Sequence, residues 1–185
     1  MTQPFFTGLD NMKKATSGGE LKLGDKEKVI IKFLDDADGE HPIAQYYNHY
    51  VPGVGSFPCV DGIYDHCPLC EAGVKRIYRM LANVAVVDKD GAVVNFIRKG
   101  REFVSECLTT YLDEYGTLTD RYYKIIGDSR TMGDTNYVAF KMIPTELPKD
   151  YKEVDESELR RIDWSTFLIT PKLEELERVA NDLRK

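Results

Sequence analysis

Apolar residues in this chain fall mostly into short alternating or β-branched runs. At only two places do they repeat at helical spacing over a useful length. A first strand is read at Lys28–Leu34 and a second at Ile43–Tyr50, separated by a polar turn over 35–42. Pro52, Gly53, Gly55 and Pro58 then interrupt regular structure, and residues 71–79 read as one or two helical turns. Leu81–Val87 and Ala92–Arg98 flank Asp90-Gly91, a hairpin turn signal. A helix follows from about Arg101 to Tyr111, with Phe103, Val104, Cys107, Leu108 and Tyr111 on one face. Strands are read again at Tyr122–Ile126 and Asn136–Ile143. A charged connector over 144–163 leads to a last helix. There Thr170 is the expected N-cap, Pro171 the first helical residue, and Leu173, Leu176, Val179, Ala180 and Leu183 the apolar stripe.

Five or so strands with one inserted helix predict a mainly β fold, a five-stranded Greek-key barrel of the OB type with an embedded metal-binding subdomain and a C-terminal helix. An SH3-like barrel or a plain antiparallel sheet fits the pattern almost as well. The expected organisation is a flexible N-terminal segment over 1–25, a core over 26–145 that includes the metal subdomain at 49–80, and a connector with helix over 146–185.

The chemistry is concentrated in that subdomain. His49, Cys59, Cys67 and Cys70 follow one another with nine, seven and two intervening residues. Two thiolates in Cys67-Pro68-Leu69-Cys70 can hold one ion from a tight turn, and three sulfurs with one imidazole fill a tetrahedron. The expectation is one structural Zn²⁺. His66 is the alternative fourth ligand. Cys107, on the apolar helix face, reads as a small buried hydrophobe. The deaminase pattern of His-x-Glu with Pro-Cys-x-x-Cys is absent, as are a phosphate-cradling glycine loop and a Gly-x-Ser-x-Gly elbow, so no enzyme is expected.

Charge changes this picture locally. The chain carries a net charge of −6, yet between residues 75 and 101 seven basic side chains face two acidic ones. Lys75, Arg76, Arg79, Arg98, Lys99 and Arg101 are therefore candidate phosphate contacts. Eleven tyrosines are many for 185 residues. Strand alternation requires one of Tyr46/Tyr47 and one of Tyr122/Tyr123 to face the core while its neighbour faces out. Tyr64 and Tyr78 flank the knuckle and the basic stretch as candidate stacking platforms. No apolar run reaches membrane-spanning length, and no signal peptide is read at the N-terminus.

Asn48-His49, Cys59 and Tyr64-Asp65-His66-Cys67-Pro68-Leu69-Cys70 resemble the zinc subdomain of the T-even phage single-stranded DNA-binding proteins, the gene 32 type. Leu21-Lys22-Leu23 with Val29–Leu34, Ala82–Val87 and Asn136–Lys141 are similar to strands of that family, in the same order. The resemblance implies an OB fold with a basic, aromatic cleft for single-stranded DNA, acting in phage replication, recombination and repair in the host cytoplasm. It places Lys32 where the family has a strand-contacting arginine, Tyr64 and Tyr78 on or beside cleft tyrosines, and Phe96, Arg98 and Lys99 near a Tyr-Arg pair. Lys13 and Lys14 resemble a displaced version of the basic segment that drives self-association. Met80-Leu81 stands where the family has a Tyr-Trp pair, and the His-to-Cys spacings are shorter. A different class, a zinc adaptor that docks replication or transcription proteins without touching nucleic acid, is favoured by the overall acidity. RNA in place of DNA is also left open.

Overall fold

The computed structural model describes residues 19–184. Its strands are β1 (Lys28–Phe33), β2 (Ala44–Val51), β3 (Gly55–Pro58), β4 (Arg76–Val87), β5 (Ala92–Lys99), β6 (Tyr122–Met132) and β7 (Thr135–Thr145). One helical turn, α1 (Pro68–Glu71), precedes β4. A continuous helix, α2, runs through Arg101–Phe103, the π-helical Val104–Leu108 and Thr109–Tyr115. The short helix α3 (Trp164–Phe167) and the longer α4 (Leu173–Leu183) follow.

All seven strands form one antiparallel sheet in the order β3-β2-β4-β1-β6-β7, with β5 on the other edge of β4. β4 organises it. Residues 76–81 pair with β2, and residues 84–87 pair with β1 along the same edge. The opposite edge takes β5 over residues 80–87. Met80, Ala82 and Val84 point to the main core with Ile31, Phe33, Ile97, Phe103, Leu108, Tyr123 and Ile125. Leu81 and Ala85 point to the other face. Both faces of β4 are covered, which is why it reads as a continuous apolar run.

At the point where β4 changes partner, the ladder would leave backbone groups unpaired. Asp35 fills the gap: its carboxylate accepts from Asn83 N at 2.7 Å and from Asn83 Nδ2, while Leu34 N donates to Asn83 O at 3.0 Å. The connector is tied to the same knot. Asn83 Oδ1 accepts from Ile162 N, Asn83 Nδ2 donates to Ile162 O, and Trp164 Nε1 donates to Asp35 at 3.0 Å. Burial raises the Asp35 pKa against these hydrogen bonds, which favour its charged form. Trp164, Phe167 and Leu168 then cover Leu81, Phe96 and Tyr46. The expected charged connector thus contains a packed helical turn, capped by Asp163 accepting from Ser165 N.

The sheet is open, with seven strands where a closed five-stranded barrel was expected. α2 lies over the middle of the outer edge of β7, where it caps two carbonyls. Phe103 packs edge-on against Phe140, Tyr111 Oη donates to Met142 O at 2.8 Å, and Cys107 Sγ donates to Phe140 O. Cys107 is buried, as expected of a small hydrophobe.

Other local differences have physical causes. Residues 76–79 are strand, not helix, because β2 offers them a pairing edge. β3 forms despite its glycine and its proline because it is a short edge strand against β2. The hairpin of β6 and β7 extends further than read, to a two-residue turn in which Gly133 sits at φ +59°. α4 begins after Lys172 rather than at Thr170, without a side-chain cap. Gly19 and Leu21, within the segment expected to be flexible, are hydrogen-bonded to Phe96 of β5. Lys13 and Lys14 lie outside the described residues.

Removing the knot at the strand junction should be costly. Asn83→Ala takes the amide donor from Asp35, which keeps Asn83 N and Trp164 Nε1, and leaves the Ile162 N–H and C=O without their buried side-chain partner. The expected loss is about 2–4 kcal/mol of unfolding free energy. Urea denaturation followed by Trp164, the sole tryptophan, measures it.

Candidate metal centre and the adjoining aromatic face

Four donors meet at the junction of β2, the following loop and α1. His49 near the end of β2 is fully buried, and its ring reaches the sulfurs of Cys67 and Cys70, each 3.5 Å from Nε2. Cys59 Sγ and Cys70 Sγ are 3.7 Å apart. All four donor atoms lie within 4.8 Å of one another, which is metal-binding distance, and no disulfide forms among these cysteines.

Local structure explains the convergence. Pro68 starts α1, whose single turn brings Cys67 and Cys70 to one side. Glu71 N and Ala72 N bond back to Cys67 O and Pro68 O, and Gly73, at φ +76°, reverses the chain in a conformation that disfavours side chains. Leu69 is fully buried against Leu176 and Ala180 of α4, so the last helix is the floor of the knuckle.

The imidazole is set up to donate a lone pair. His49 Nδ1 lies 3.0 Å from Val74 O, and a carbonyl only accepts, so Nδ1 carries the hydrogen and Nε2 faces the sulfurs. Burial pushes the His49 pKa down, keeping the ring neutral. Burial opposes a charged Cys67, but backbone hydrogen bonds from Val60 and Cys70 bring its pKa below the ordinary thiol value. Burial and the neighbouring thiols push Cys70 well up. Three close sulfurs repel as anions unless a cation sits among them. His66, the alternative ligand, turns towards α4, where Nε2 is 4.0 Å from Glu177 Oε1.

Beside this centre the sheet presents an aromatic and cationic face. Tyr47 of β2 is directly opposite Tyr78 of β4, and their rings meet edge-on at 5.7 Å. Tyr78 Oη donates to Gln45 at 2.9 Å. Arg76 Cζ lies 5.3 Å from the centre of the Tyr47 ring, and Arg101 Cζ lies 5.8 Å from that of Tyr78. Arg101 Nη2 also reaches Tyr47 Oη at 3.5 Å. Tyr47 remains 39% exposed, and Lys75, exposed, immediately precedes β4. Tyr47 was legible only as one half of the Tyr46/Tyr47 alternation, and its partner Tyr46 packs under Trp164 as that alternation requires.

The other expected contact residues do not share this face. Phe96 is a correction: it is 3% exposed, edge-on to Trp164 and Phe167, and offers no free ring. Arg79 and Arg98 lie on the opposite side of the sheet, near Tyr46, because strand positions alternate. Arg98 is paired with Glu20 at 2.8 Å. Lys32 is paired with Glu156 at 2.8 Å. Lys99 points back over the Phe140 ring, 3.2 Å from its centre. Tyr64, 38% exposed, ends the turn that carries Asp61 and lies on the knuckle. Of the expected set, Arg76, Tyr78 and Arg101 come together, with Lys75 at the margin.

Two tests follow from this geometry. Stripping metal with a chelator should raise amide hydrogen exchange across residues 52–75 and in α4, which packs on the knuckle. Protection in β1, β4 and β6 should persist; uniform loss would mean that the ion holds the whole fold. Burial brings the Lys99 pKa down to about 8. Unfolded chain keeps this proton to about pH 10.4, so the folded state gains stability as pH rises from about 8 to 10. Lys99→Met should flatten that rise in a denaturation series on the metal-loaded protein.

Searches against protein-family models, curated proteins and solved structures gave no match to this chain.

Proposed function

We propose that the chain is a sequence-tolerant single-stranded DNA-binding protein of the T-even phage type, in which one structural Zn²⁺ steadies the binding face. The carrying observation is the juxtaposition of a complete Cys₃His donor set with the Tyr47–Tyr78 pair and its two arginines.

Zinc is supported by the spacing of the donors. A tetrahedral ion with bonds of about 2.3 Å to sulfur and about 2.05 Å to nitrogen has sulfur–sulfur edges of about 3.8 Å and sulfur–nitrogen edges of about 3.6 Å. Cys59 and Cys70 stand 3.7 Å apart, His49 Nε2 stands 3.5 Å from Cys67 and Cys70, and the remaining pairs lie within 4.8 Å. When bound, the ion cross-links β2, the loop and α1, and with four protein ligands it leaves no position for a substrate. That supports a structural role for the ion. An OB-type ancestry is part of the same reading: the strands have drawn out into an open sheet, with α2 over its edge.

The face itself suits an unpaired strand. Arg101 and Lys75 supply charge for phosphates, Arg76 stands beside them paired with Asp61, and the rings of Tyr47 and Tyr78 offer surfaces that any base can meet. Duplex DNA keeps its bases stacked and away from those rings. Asp61 is bonded to Arg76 on this face, and other acidic side chains lie away from it, including Glu174, Glu175 and Glu177 on α4 and the Glu156 that faces Lys32. On this reading the protein coats exposed template in the host cytoplasm during phage replication, recombination and repair.

Fluorescence anisotropy of labelled oligothymidine tests it. Single strands should bind at least ~100-fold tighter than duplex of equal length. The affinity should fall with salt at a log–log slope of roughly −2 to −3, for about 3–4 neutralised phosphates. Tyr47→Ala and Arg101→Ala should each weaken binding by roughly 5-fold or more. Equal affinity for duplex, or no salt dependence, overturns the proposal. Absence of oligonucleotide binding together with a nuclease-resistant protein complex selects the adaptor reading instead.

A further inference from the structure

The sheet carries aliphatic and cationic side chains together on the face away from the main core. Ile31, Tyr123, Ile125 and Met142 point to that core, so their strand neighbours point the other way. The register then sets Lys28, Ile126 and Lys141 in one row across β1, β6 and β7, and Ile30, Lys124 and Ile143 in the next. Isoleucine and lysine thus alternate both along the strands and across them. Ile143 is 47% exposed, and Ile30 and Ile126 are half-buried but belong to none of the core clusters. Lys141 pairs with Asp128 at 3.2 Å. Among the described residues Lys28 and Lys124 have no ion-pair partner, and Glu27, beside Lys28, turns back to accept from Gly24 N. The solvated face of an antiparallel sheet is ordinarily polar, so contiguous aliphatic side chains on it call for a reason.

The adjoining row shows what such a surface holds. There Lys32 and Tyr122 are neighbours, and the connector crosses them. Glu156 pairs with Lys32 at 2.8 Å, Val154 N donates to Tyr122 Oη at 3.2 Å, and Val154 and Leu159 pack on Leu34, Ala85 and Val94. The segment that does this, Glu153-Val154-Asp155-Glu156-Ser157-Glu158-Leu159, has four acidic and two aliphatic residues in seven. Carboxylate meets lysine, and methyl groups meet methyl groups. The rows at Lys28 and Lys124 continue this chemistry on the same face. The connector turns away from them, since Arg161 donates to Leu34 O and Ile162 N to Asn83. Nucleic acid is a poorer fit, because bases need ring faces and the apolar members of these two rows are aliphatic.

We propose that Lys28, Ile30, Lys124, Ile126, Lys141 and Ile143 form a docking surface for an acidic, aliphatic segment of a partner protein, laid on the sheet beside the connector. Its carboxylates pair with Lys28 and Lys124, and its aliphatic side chains cover the three isoleucines. The surface does not depend on the function proposed above. Tyr78, with Tyr47 opposite it, is on the main-core face of the sheet, so a partner held here leaves the tyrosine pair open.

The probe is a synthetic peptide of the connector sequence Glu153–Leu159, titrated into the full metal-loaded chain and followed by nuclear magnetic resonance of the backbone amides. Signals of Ile30, Lys124, Ile126 and Ile143 should shift to saturation, and binding should weaken as salt rises. Lys28→Glu and Lys124→Gln should each weaken the peptide by about 3–5-fold, and Ile143→Asp by about 10-fold. Lys124→Gln, the mildest of these changes, keeps the test open if a charge reversal fails to fold. Lys172→Glu, exposed at the start of α4, should leave the affinity as it is. The same peptide with glutamine and asparagine in place of its acids should bind at least as weakly as to the lysine variants. Shifts confined to Lys32, Tyr122 and the connector mean that the peptide only exchanges with the connector, and overturn the proposal. Equal binding of the amide peptide, or no shift at millimolar peptide, does the same. A loss of oligothymidine affinity in Lys124→Gln gives the face to nucleic acid, and a dimer that Ile143→Asp dissolves in sedimentation gives it to a second copy of the chain; either result also overturns it.

Discussion

Six residues of β2, from Ala44 to His49, are paired with Leu81 to Arg76 of β4, and the chemistry of the molecule rests on that register. Side chains alternate along a strand, so a slip of one residue would exchange the faces of every member. Tyr47 would trade places with Tyr46 under Trp164, and His49 would leave the sulfurs. The register is held at one end by the burial of Leu81 and Met80 on opposite faces. At the other end β3 pairs with β2 from Asn48 to Val51, where Val51 enters the small core of the knuckle. A backbone ladder that needs no metal thus delivers the imidazole to the place where the metal donors converge.

Two clamps keep the sheet in this form, and they differ in kind. The first is polar and buried: Asp35 and Asn83 complete the hydrogen bonding of β4 where it passes from β2 to β1, and Trp164 and Ile162 fasten the connector to the same groups. Such a knot specifies one arrangement because any other leaves buried donors and acceptors unpaired. The second clamp is the donor cluster, with the small core of Val51, Phe57, Val60, Leu69, Leu176 and Ala180 beneath it. A core of that size holds an irregular loop weakly, which is the usual circumstance in which a cross-linking ion contributes to folding.

The charge of the chain is arranged by face rather than by total. A run of seven basic residues looks like one patch when read along the sequence. In space it is divided. Arg76 and Arg101 join the tyrosine pair, Arg79 and Arg98 go to the opposite side, Lys99 covers Phe140, and Lys89 pairs with Asp150. On the Tyr47 face stand Arg101 and Arg76, the latter paired with Asp61 at 2.7 Å.

Local rules make much of this molecule legible in the amino-acid sequence alone. The spacing of Cys59, Cys67 and Cys70 names three donors, because chain reach limits which side chains can meet one ion. Period-two alternation names β1, β2, β5 and the start of β6, and it requires one of Tyr122/Tyr123 to be buried and one of Tyr46/Tyr47 to face out. Helical spacing names α2 and α4. Tertiary structure decides the rest, for reasons that no local pattern carries. His49 rather than His66 faces the sulfurs because β2 aims it there, while α4 and its Glu177 lie beside His66. Phe96 is core because the connector returns over it, bringing Trp164 and Phe167 from far along the chain. Whether strands close into a barrel or stay an open sheet depends on edge pairing between distant segments, and here α2 lies over the β7 edge. Burial and pairing between residues far apart in sequence are set by the packing of the whole chain, and a residue's neighbours along the chain do not record them.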